Sequence, residues 1–171
     1  PFIERGHIYF EYTIPRMGRR IDVVLLLDGV LLLLEFKAFN EQYTKADISR
    51  VWDYALDLKN FHEESHRRPI VPILVATDAA FSSYELRPYD DFVFYPVLSN
   101  YDDLEQTINS ALMCCEKKDY GDDELWAISR YAPTPTIIEA ASALYNNHSV
   151  EDISRSDASA ENLTKTCAAI S

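Results

Sequence analysis

Cysteine, glycine and long apolar runs are all scarce in this 171-residue sequence. The three cysteines are odd in number, two of them are adjacent (Cys114 and Cys115), and none has the spacing of zinc ligands. This usage predicts a reducing compartment and no structural metal. The four glycines form no G-x-x-x-x-G-K-[S/T] motif, so the chain by itself is predicted neither to bind nor to hydrolyse ATP.

The apolar runs are too short to cross a membrane. Runs such as Val30–Leu34 have the length of a strand, and no stretch of about 18 uncharged apolar residues occurs. The chain begins at Pro1, and no basic segment followed by an apolar one indicates a secretion signal there. We therefore expect a fragment of a cytoplasmic protein without membrane contact. Apolar residues make up 47% of the chain, which is enough for a packed core.

Basic residues are also few, and the net charge of −12 is unsuited to a protein that binds nucleic acid. The charge is unevenly distributed, however. Residues 1–68 have a net charge of −1, whereas residues 69–171 have a net charge of −11. The basic residues, among them Arg20 and Arg50, therefore gather in the first part of the chain. Without a motif beside them, they are expected to be solvated surface charges.

Apolar patterns predict five strands and a tight hairpin. Asp28–Gly29 is typical of a two-residue turn between strands. The strands on either side of it are apolar at consecutive positions, which indicates that both of their faces are covered, as in an α/β sandwich. The predicted strands are His7–Ile14, Arg19–Leu27, Val30–Phe39, Ile70–Ala76 and Phe92–Leu98.

Apolar residues at spacings of three and four predict a helix from Thr44 to about His62. A second helix is expected from Asn100 to about Lys118. His62 and His66, near the end of the first helix, are expected to be exposed to solvent rather than to bind a metal.

The chain changes character near Tyr131. Two prolines and three short helical segments follow, without further strand signals. The sequence therefore predicts an α/β core with a central mixed sheet in residues 1–131. Residues 132–171 are expected to form a helical appendage, which is a linker, the start of an absent domain or a helical cap on the core.

Three charged residues lie at the ends of the two central strands. Side chains alternate across a sheet, so Glu35 and Lys37 share a face. The two-residue loop pairs positions whose numbers add to 57, which places Asp22 opposite Glu35. Like charges opposite each other destabilise a sheet, unless a cation such as Mg²⁺ lies between them. A nearby lysine suits metal-assisted hydrolysis of a phosphodiester. An E-x-K triplet alone most often marks a surface ion pair, so both interpretations stay open.

Asp22, followed by Glu35-Phe36-Lys37 and then by a helix, resembles the PD-(D/E)XK nuclease superfamily with its restriction-endonuclease-like fold. Longer blocks, among them EYTIPRMGRRIDVVLLLDGVLLLLEFKAF and VWDYALDLKNFHEESHRRPIVPILVATDA, resemble bacterial proteins in which such a nuclease domain precedes a Schlafen-type P-loop NTPase/helicase domain. The resemblance implies hydrolysis of nucleic acid, expected to be DNA, with Mg²⁺ or Mn²⁺ as cofactor. It also implies an NTPase/helicase domain as the C-terminal partner in the full-length protein.

The resemblance assigns roles to individual residues. Asp22 and Glu35 would be metal ligands, the backbone carbonyl of Phe36 would complete the coordination, and Lys37 would be the catalytic lysine. Many members carry a Q-x-x-x-Y motif on the next helix.

At the motif's position this chain has Arg50 and Tyr54, so arginine replaces glutamine. Together with Arg20, both residues are expected to contact the substrate. The glutamate that members place on a first helix would precede residue 1.

A non-catalytic module is the alternative. In this interpretation the nuclease fold binds nucleic acid or docks a partner protein, and the acidic second half contacts protein. The replacement by Arg50 favours this alternative, whereas the complete set of Asp22, Glu35 and Lys37 argues against it.

Overall fold

The computed structural model describes residues 6–16, 18–80, 82–83, 85–115 and 120–145. These residues form a seven-stranded mixed sheet that is flanked by helices on both faces, so the predicted α/β class is confirmed. The strands are β1 (Gly6–Thr13), β2 (Arg20–Leu27), β3 (Val30–Lys37), β4 (Ile70–Ala76), β5 (Pro88–Asp90), β6 (Val93–Phe94) and β7 (Val97–Ser99). The helices are α1 (Lys45–Phe61), α2 (Leu104–Cys114), α3 (Asp123–Trp126) and α4 (Pro135–Tyr145), and a short 3-10 helix covers Glu63–Ser65.

The strand order is β1-β2-β3-β4-β6-β5, with β7 also paired to β4. The first three strands are antiparallel neighbours, whereas β4 lies parallel to β3. Parallel neighbours need a long crossover connection, and here α1 forms most of it. The end of β3 therefore leads directly into the helix that covers one face of the sheet.

The β2–β3 hairpin has the predicted turn and register. Asp28 and Gly29 have φ values of 50° and 81°, as a type I′ turn requires. The pairs run from Leu27–Val30 to Val23–Leu34, and in each pair the residue numbers add to 57.

Both faces of the central strands are covered, which explains their continuous apolar sequence. On one face, Val24, Leu26, Leu31 and Leu33 belong to a core that includes Ala55 and Leu58 of α1. On the other face, Leu32, Leu34, Val71 and Ile73 belong to a core that includes Ile108 and Ala111 of α2. Strands of this kind are apolar at consecutive positions because neither face meets water.

Two strand predictions need correction. β3 ends at Lys37 instead of Phe39, because Phe39 has a φ of 62° and leaves the extended conformation. The strand predicted over Phe92–Leu98 is divided into β6 and β7. Pro96 lies between them and has no N–H with which to bond β4. β5 was not predicted.

The helix predictions largely agree with the structure. α1 was predicted from Thr44 to about His62; it covers Lys45–Phe61, and Thr44 is its N-cap. α2 begins at Leu104, and the last part of the helix predicted to Lys118 lies outside the described residues. Among the described residues, no helix combines the length and the apolar character needed to span a membrane.

The segment after Tyr131 continues to contact the end of α1. The rings of Phe61 and Tyr131 stack at a centroid distance of 5.6 Å, and the Thr134 amide donates to the Asn60 carbonyl. α4 corresponds to the first helix predicted in the appendage. The two helices predicted beyond residue 149 lie outside the described residues.

The expectation that His62 is exposed was wrong. His62 is fully buried, and its ring nitrogens lie 2.9 Å from the Tyr12 hydroxyl and 2.7 Å from Ser65 Oγ. Burial lowers the pKa of His62 to about 4. His66 is half-buried. The buried ring is a structural hydrogen-bonding group between β1, the end of α1 and the 3-10 helix.

The outer strand β1 is irregular. It has no strand neighbour on its outer side among the described residues. Glu11, inside the strand, has a φ of 52°, which is unusual for a residue other than glycine. Ile8 and Phe10 are exposed on the face opposite α1.

Candidate active site

The candidate site lies where β3 ends beneath the first turns of α1. Lys37 Nζ lies 2.8 Å from Glu35 Oε1, so the predicted common face of these two residues is confirmed. Helix α1 contributes Asp47, whose Oδ1 lies 3.5 Å from the same ammonium, and Arg50, whose guanidinium lies 3.5 Å from Glu35 Oε1. Two acidic and two basic side chains therefore meet between the sheet and the helix.

Glu35 is the most buried charged group of this cluster, with 4% of its surface exposed. Its Oε1 atom faces both Lys37 and Arg50. Its Oε2 atom is buried and has no hydrogen-bond partner among the described residues. A buried carboxylate oxygen without a partner is costly, so Oε2 is the atom of this cluster that most needs a further ligand.

Asp22 lies next to the site, at the end of the β2–β3 hairpin that is opposite the turn. The β2–β3 ladder ends at the Val23–Leu34 pair, one position before Asp22 and Glu35. At this point the Phe36 amide donates to Asp22 Oδ2 at 2.8 Å. The carboxylate of Asp22 thus takes the place of a backbone acceptor and is held at the margin of the sheet.

The same ladder gives the direction of the Phe36 carbonyl. Leu31 donates its amide to Pro69, and the Lys37 carbonyl accepts from Thr77, so the odd-numbered residues of β3 bond on the β4 side. Even-numbered residues therefore face β2, and in an extended strand the N–H and C=O of one residue point to the same side. The Phe36 carbonyl consequently points to the side on which Asp22 lies.

Asp47 was not among the residues selected from the sequence. The Thr44 hydroxyl donates to Asp47 Oδ2 at 2.6 Å and accepts from the Asp47 amide at 3.1 Å, which forms a reciprocal cap at the start of α1. The hydrogen bond from Thr44 and the charge of Lys37 lower the pKa of Asp47, although burial opposes them. The T-x-x-D pattern indicates such a cap, but it does not indicate contact with Lys37.

The surroundings keep Lys37 charged. Burial acts to lower the pKa of Lys37, but the hydrogen bond to Glu35 and the negative charges of Glu35 and Asp47 outweigh it, so the pKa is raised. An ammonium with a raised pKa is suited to stabilising negative charge, not to abstracting a proton.

Tyr54 lies on the second turn of α1 after Asp47 and is buried. Burial raises the pKa of its phenol, the negative charges of Glu35 and Asp22 raise it further, and Arg50 lowers it. The phenol is therefore protonated and lies within electrostatic reach of the two acids. It can act as a hydrogen-bond donor at the site.

The two candidate arginines differ in position. About half of the Arg50 side chain is exposed (51%), so its guanidinium can contact both Glu35 and a molecule in solution. Arg20 pairs instead with Glu11 of β1 at 2.6 Å, and both side chains are exposed. The structure therefore brings six of the selected residues together and leaves Arg20 paired outside the cluster.

The donor set suits a hard cation with few protein ligands. The described residues contain no group of three or more His, Cys, Asp or Glu side chains arranged to hold a metal. Mg²⁺ commonly takes only one or two carboxylates and keeps several waters. The buried Glu35 Oε2, the Asp22 carboxylate and the Phe36 carbonyl fit that requirement, whereas a zinc site would need more ligands of other kinds.

Comparison with known proteins identifies no relative. No family model, no curated protein and no solved structure matches this chain. Its similarity to the PD-(D/E)XK superfamily therefore stays a prediction from its residues, and the geometry of the site supplies the support for any function.

Proposed function

We propose that this chain is a metal-dependent nuclease domain that hydrolyses phosphodiester bonds of nucleic acid, with DNA as the expected substrate. We also propose the restriction-endonuclease-like fold and, in the full-length protein, a C-terminal NTPase/helicase domain as partner. The buried Glu35 carboxylate carries the proposal. In the part of the chain that the structure describes, its Oε2 atom has no hydrogen-bond partner, while its Oε1 atom faces two cations.

Asp22, Glu35 and the Phe36 carbonyl would hold Mg²⁺ or Mn²⁺. When bound, the ion supplies a Lewis acid at the phosphate and lowers the pKa of a bound water. The hydrogen bond from the Phe36 amide fixes Asp22 at the margin of the sheet. Burial beneath α1 fixes Glu35. The fold thus holds both carboxylates in place before the metal ion or the substrate binds.

Lys37 stabilises the negative charge that develops on the phosphate. Its ammonium is held by carboxylates from β3 and α1, and its raised pKa keeps it protonated at neutral pH. Arg50 supplies a second cation that is open to solvent, and a guanidinium can donate two hydrogen bonds to one phosphate. The protonated Tyr54 phenol is available to donate a hydrogen bond at the site.

Cleavage assays on the chain test this proposal. Wild type is expected to cut plasmid or single-stranded DNA with Mg²⁺ or Mn²⁺ and to be inactive in EDTA. Glu35→Gln and Lys37→Ala should each lower the cleavage rate by about a hundredfold or more, as loss of an electrostatic catalytic group does. Glu105→Gln, which changes an exposed glutamate on α2, is the matched control and should cut like wild type.

The outcome for Lys37→Ala decides the catalytic assignment. Cleavage at the wild-type rate with Mg²⁺ would remove Lys37 from the mechanism. Parallel assays on RNA and on linear and circular DNA define the substrate and distinguish cutting at ends from cutting within strands.

A nuclease-fold module without activity is the second candidate. It is favoured by the contacts of Lys37 and Arg50 with Glu35, since two cations already balance the buried acid. A titration with Mn²⁺ separates the two functions. No binding by wild type, together with no cleavage by the full-length protein, would favour the module over the nuclease.

A further inference from the structure

We propose that Asp47 is a positioning residue that receives the Lys37 ammonium when Glu35 binds the metal ion. The inference rests on the proposed function, since it needs a metal ion on Glu35. It assigns to α1 a part in metal binding that requires no direct contact between Asp47 and the ion.

The ammonium of Lys37 lies between two carboxylates that belong to different elements. It is 2.8 Å from Glu35 Oε1 on β3 and 3.5 Å from Asp47 Oδ1 on α1. The three side chains are largely enclosed, with exposed fractions of 6% for Glu35, 14% for Asp47 and 20% for Lys37. A small rotation of the lysine side chain exchanges one carboxylate for the other.

A metal ion on Glu35 would favour that rotation. The ammonium and a divalent cation repel each other, and the repulsion is strong where little water separates them. While Lys37 stays on Glu35, it competes with the ion for the same carboxylate. Its transfer to Asp47 keeps the ammonium paired and leaves Glu35 to the metal.

The side chain of Asp47 is already oriented for this role. Its Oδ2 atom accepts a hydrogen bond from the Thr44 hydroxyl at 2.6 Å. The backbone amide of Asp47 donates in return to the Thr44 hydroxyl oxygen. This reciprocal cap fixes the carboxylate at the start of α1 and directs Oδ1 toward Lys37. Outer residues that orient metal ligands in this way typically change metal affinity by 10- to 100-fold when mutated.

Mn²⁺ binding by four proteins tests the exchange. The proteins are wild type, Asp47→Asn, Lys37→Met and the double variant, and free Mn²⁺ is measured by electron paramagnetic resonance. Asp47→Asn should weaken Mn²⁺ binding about tenfold, because Lys37 then stays on Glu35. Lys37→Met should bind Mn²⁺ at least as tightly as wild type, and adding Asp47→Asn to it should change affinity less than twofold.

Two further variants control for folding. Asp47→Glu keeps the charge and should recover most of the affinity. Asp53→Asn, on the solvent side of α1 and paired with Arg19, should bind Mn²⁺ like wild type. Thermal melts show whether each variant is folded.

Each outcome has a distinct meaning. Asp47→Asn could weaken Mn²⁺ binding equally in wild type and in the Lys37→Met variant. That result would make Asp47 a metal ligand and overturn the exchange. An unchanged affinity in Asp47→Asn would also overturn it, while leaving the nuclease intact if wild type binds Mn²⁺ and cuts DNA. Absence of Mn²⁺ binding by wild type would overturn both the exchange and the proposed function.

Discussion

Replacement of Lys59 by methionine is expected to stabilise the protein at neutral pH. Lys59 lies on α1 with 1% of its side chain exposed. Among the described residues, its ammonium lies at long range from its partners, 3.4 Å from the Arg68 carbonyl and 3.7 Å from Asp91, and 5.3 Å from the centre of the Phe92 ring. Burial lowers the pKa of Lys59 from 10.5 to about 8, although Asp91 opposes this effect.

The size of the effect follows from this pKa. The difference between 10.5 and about 8 corresponds to about 3 kcal/mol, at 1.36 kcal/mol per pH unit, by which folding disfavours the charged lysine. Methionine has a similar volume and no charge, but it loses the hydrogen bond to the Arg68 carbonyl, worth about 1 kcal/mol. The attraction of Asp91 is already included in the lowered pKa. We therefore expect a net gain of about 2 kcal/mol at pH 7, or about 4–8 °C in melting temperature for a chain of this size.

The pH dependence provides the sharper test. Because the folded-state pKa is lowered, wild type carries the full penalty below pH 8 and loses it as the pH rises from 8 to 10.5. The difference in free energy of unfolding between Lys59→Met and wild type should thus shrink across this range, as measured by urea denaturation at several pH values. A variant that is less stable than wild type at pH 7, with a difference independent of pH, would show that the contacts of Lys59 outweigh its burial.

Two further predictions concern α1 and the hairpin. Burial raises the pKa of Asp57 from 3.8 to about 6 despite the nearby Arg19, so the ionised form destabilises the fold above pH 6. Asp57→Asn should raise the free energy of unfolding by about 2–3 kcal/mol at pH 7, and urea titrations should show this gain disappearing as the pH falls from 6 to 4. Gly29→Ala should lower the melting temperature, with a cost of about 1–3 kcal/mol, because φ is 81° and the new Cβ would lie 2.6 Å from the Tyr120 ring. An unchanged melting temperature would show that the hairpin shifts freely.

Much of the fold could be predicted from local sequence. The Asp28–Gly29 turn and the apolar runs beside it determine both the hairpin and its register, since a two-residue loop leaves little freedom in pairing. The spacing of apolar residues in α1 likewise specifies the helix and its buried face. These features depend on residues that are neighbours in the chain.

The features that were missed depend on distant parts of the chain. His62 is buried against the ring of Tyr12, 50 residues earlier, to which it is also hydrogen-bonded. The division of the last predicted strand depends on where Pro96 lies against β4.

The candidate site shows the same distinction. The hairpin register predicts Asp22 opposite Glu35, and the observed ladder follows that register to Val23–Leu34, one position before this pair. Alternation correctly placed Lys37 beside Glu35. The contact of Lys37 with Asp47 requires knowledge of how α1 lies across β3, which no local pattern provides. Arg20 was grouped with the site by sequence proximity alone, and its actual partner, Glu11, lies on the neighbouring strand.

The irregular outer strand has a consequence for aggregation. A regular exposed strand edge is a template on which the edges of other molecules can pair. In β1 the left-handed conformation of Glu11 interrupts the regular edge, and its ion pair with Arg20 places charge beside it. Without this interruption, the exposed apolar side chains of Ile8 and Phe10 would favour association of this strand with other molecules. We therefore expect the kink at Glu11 to disfavour edge-to-edge polymerisation.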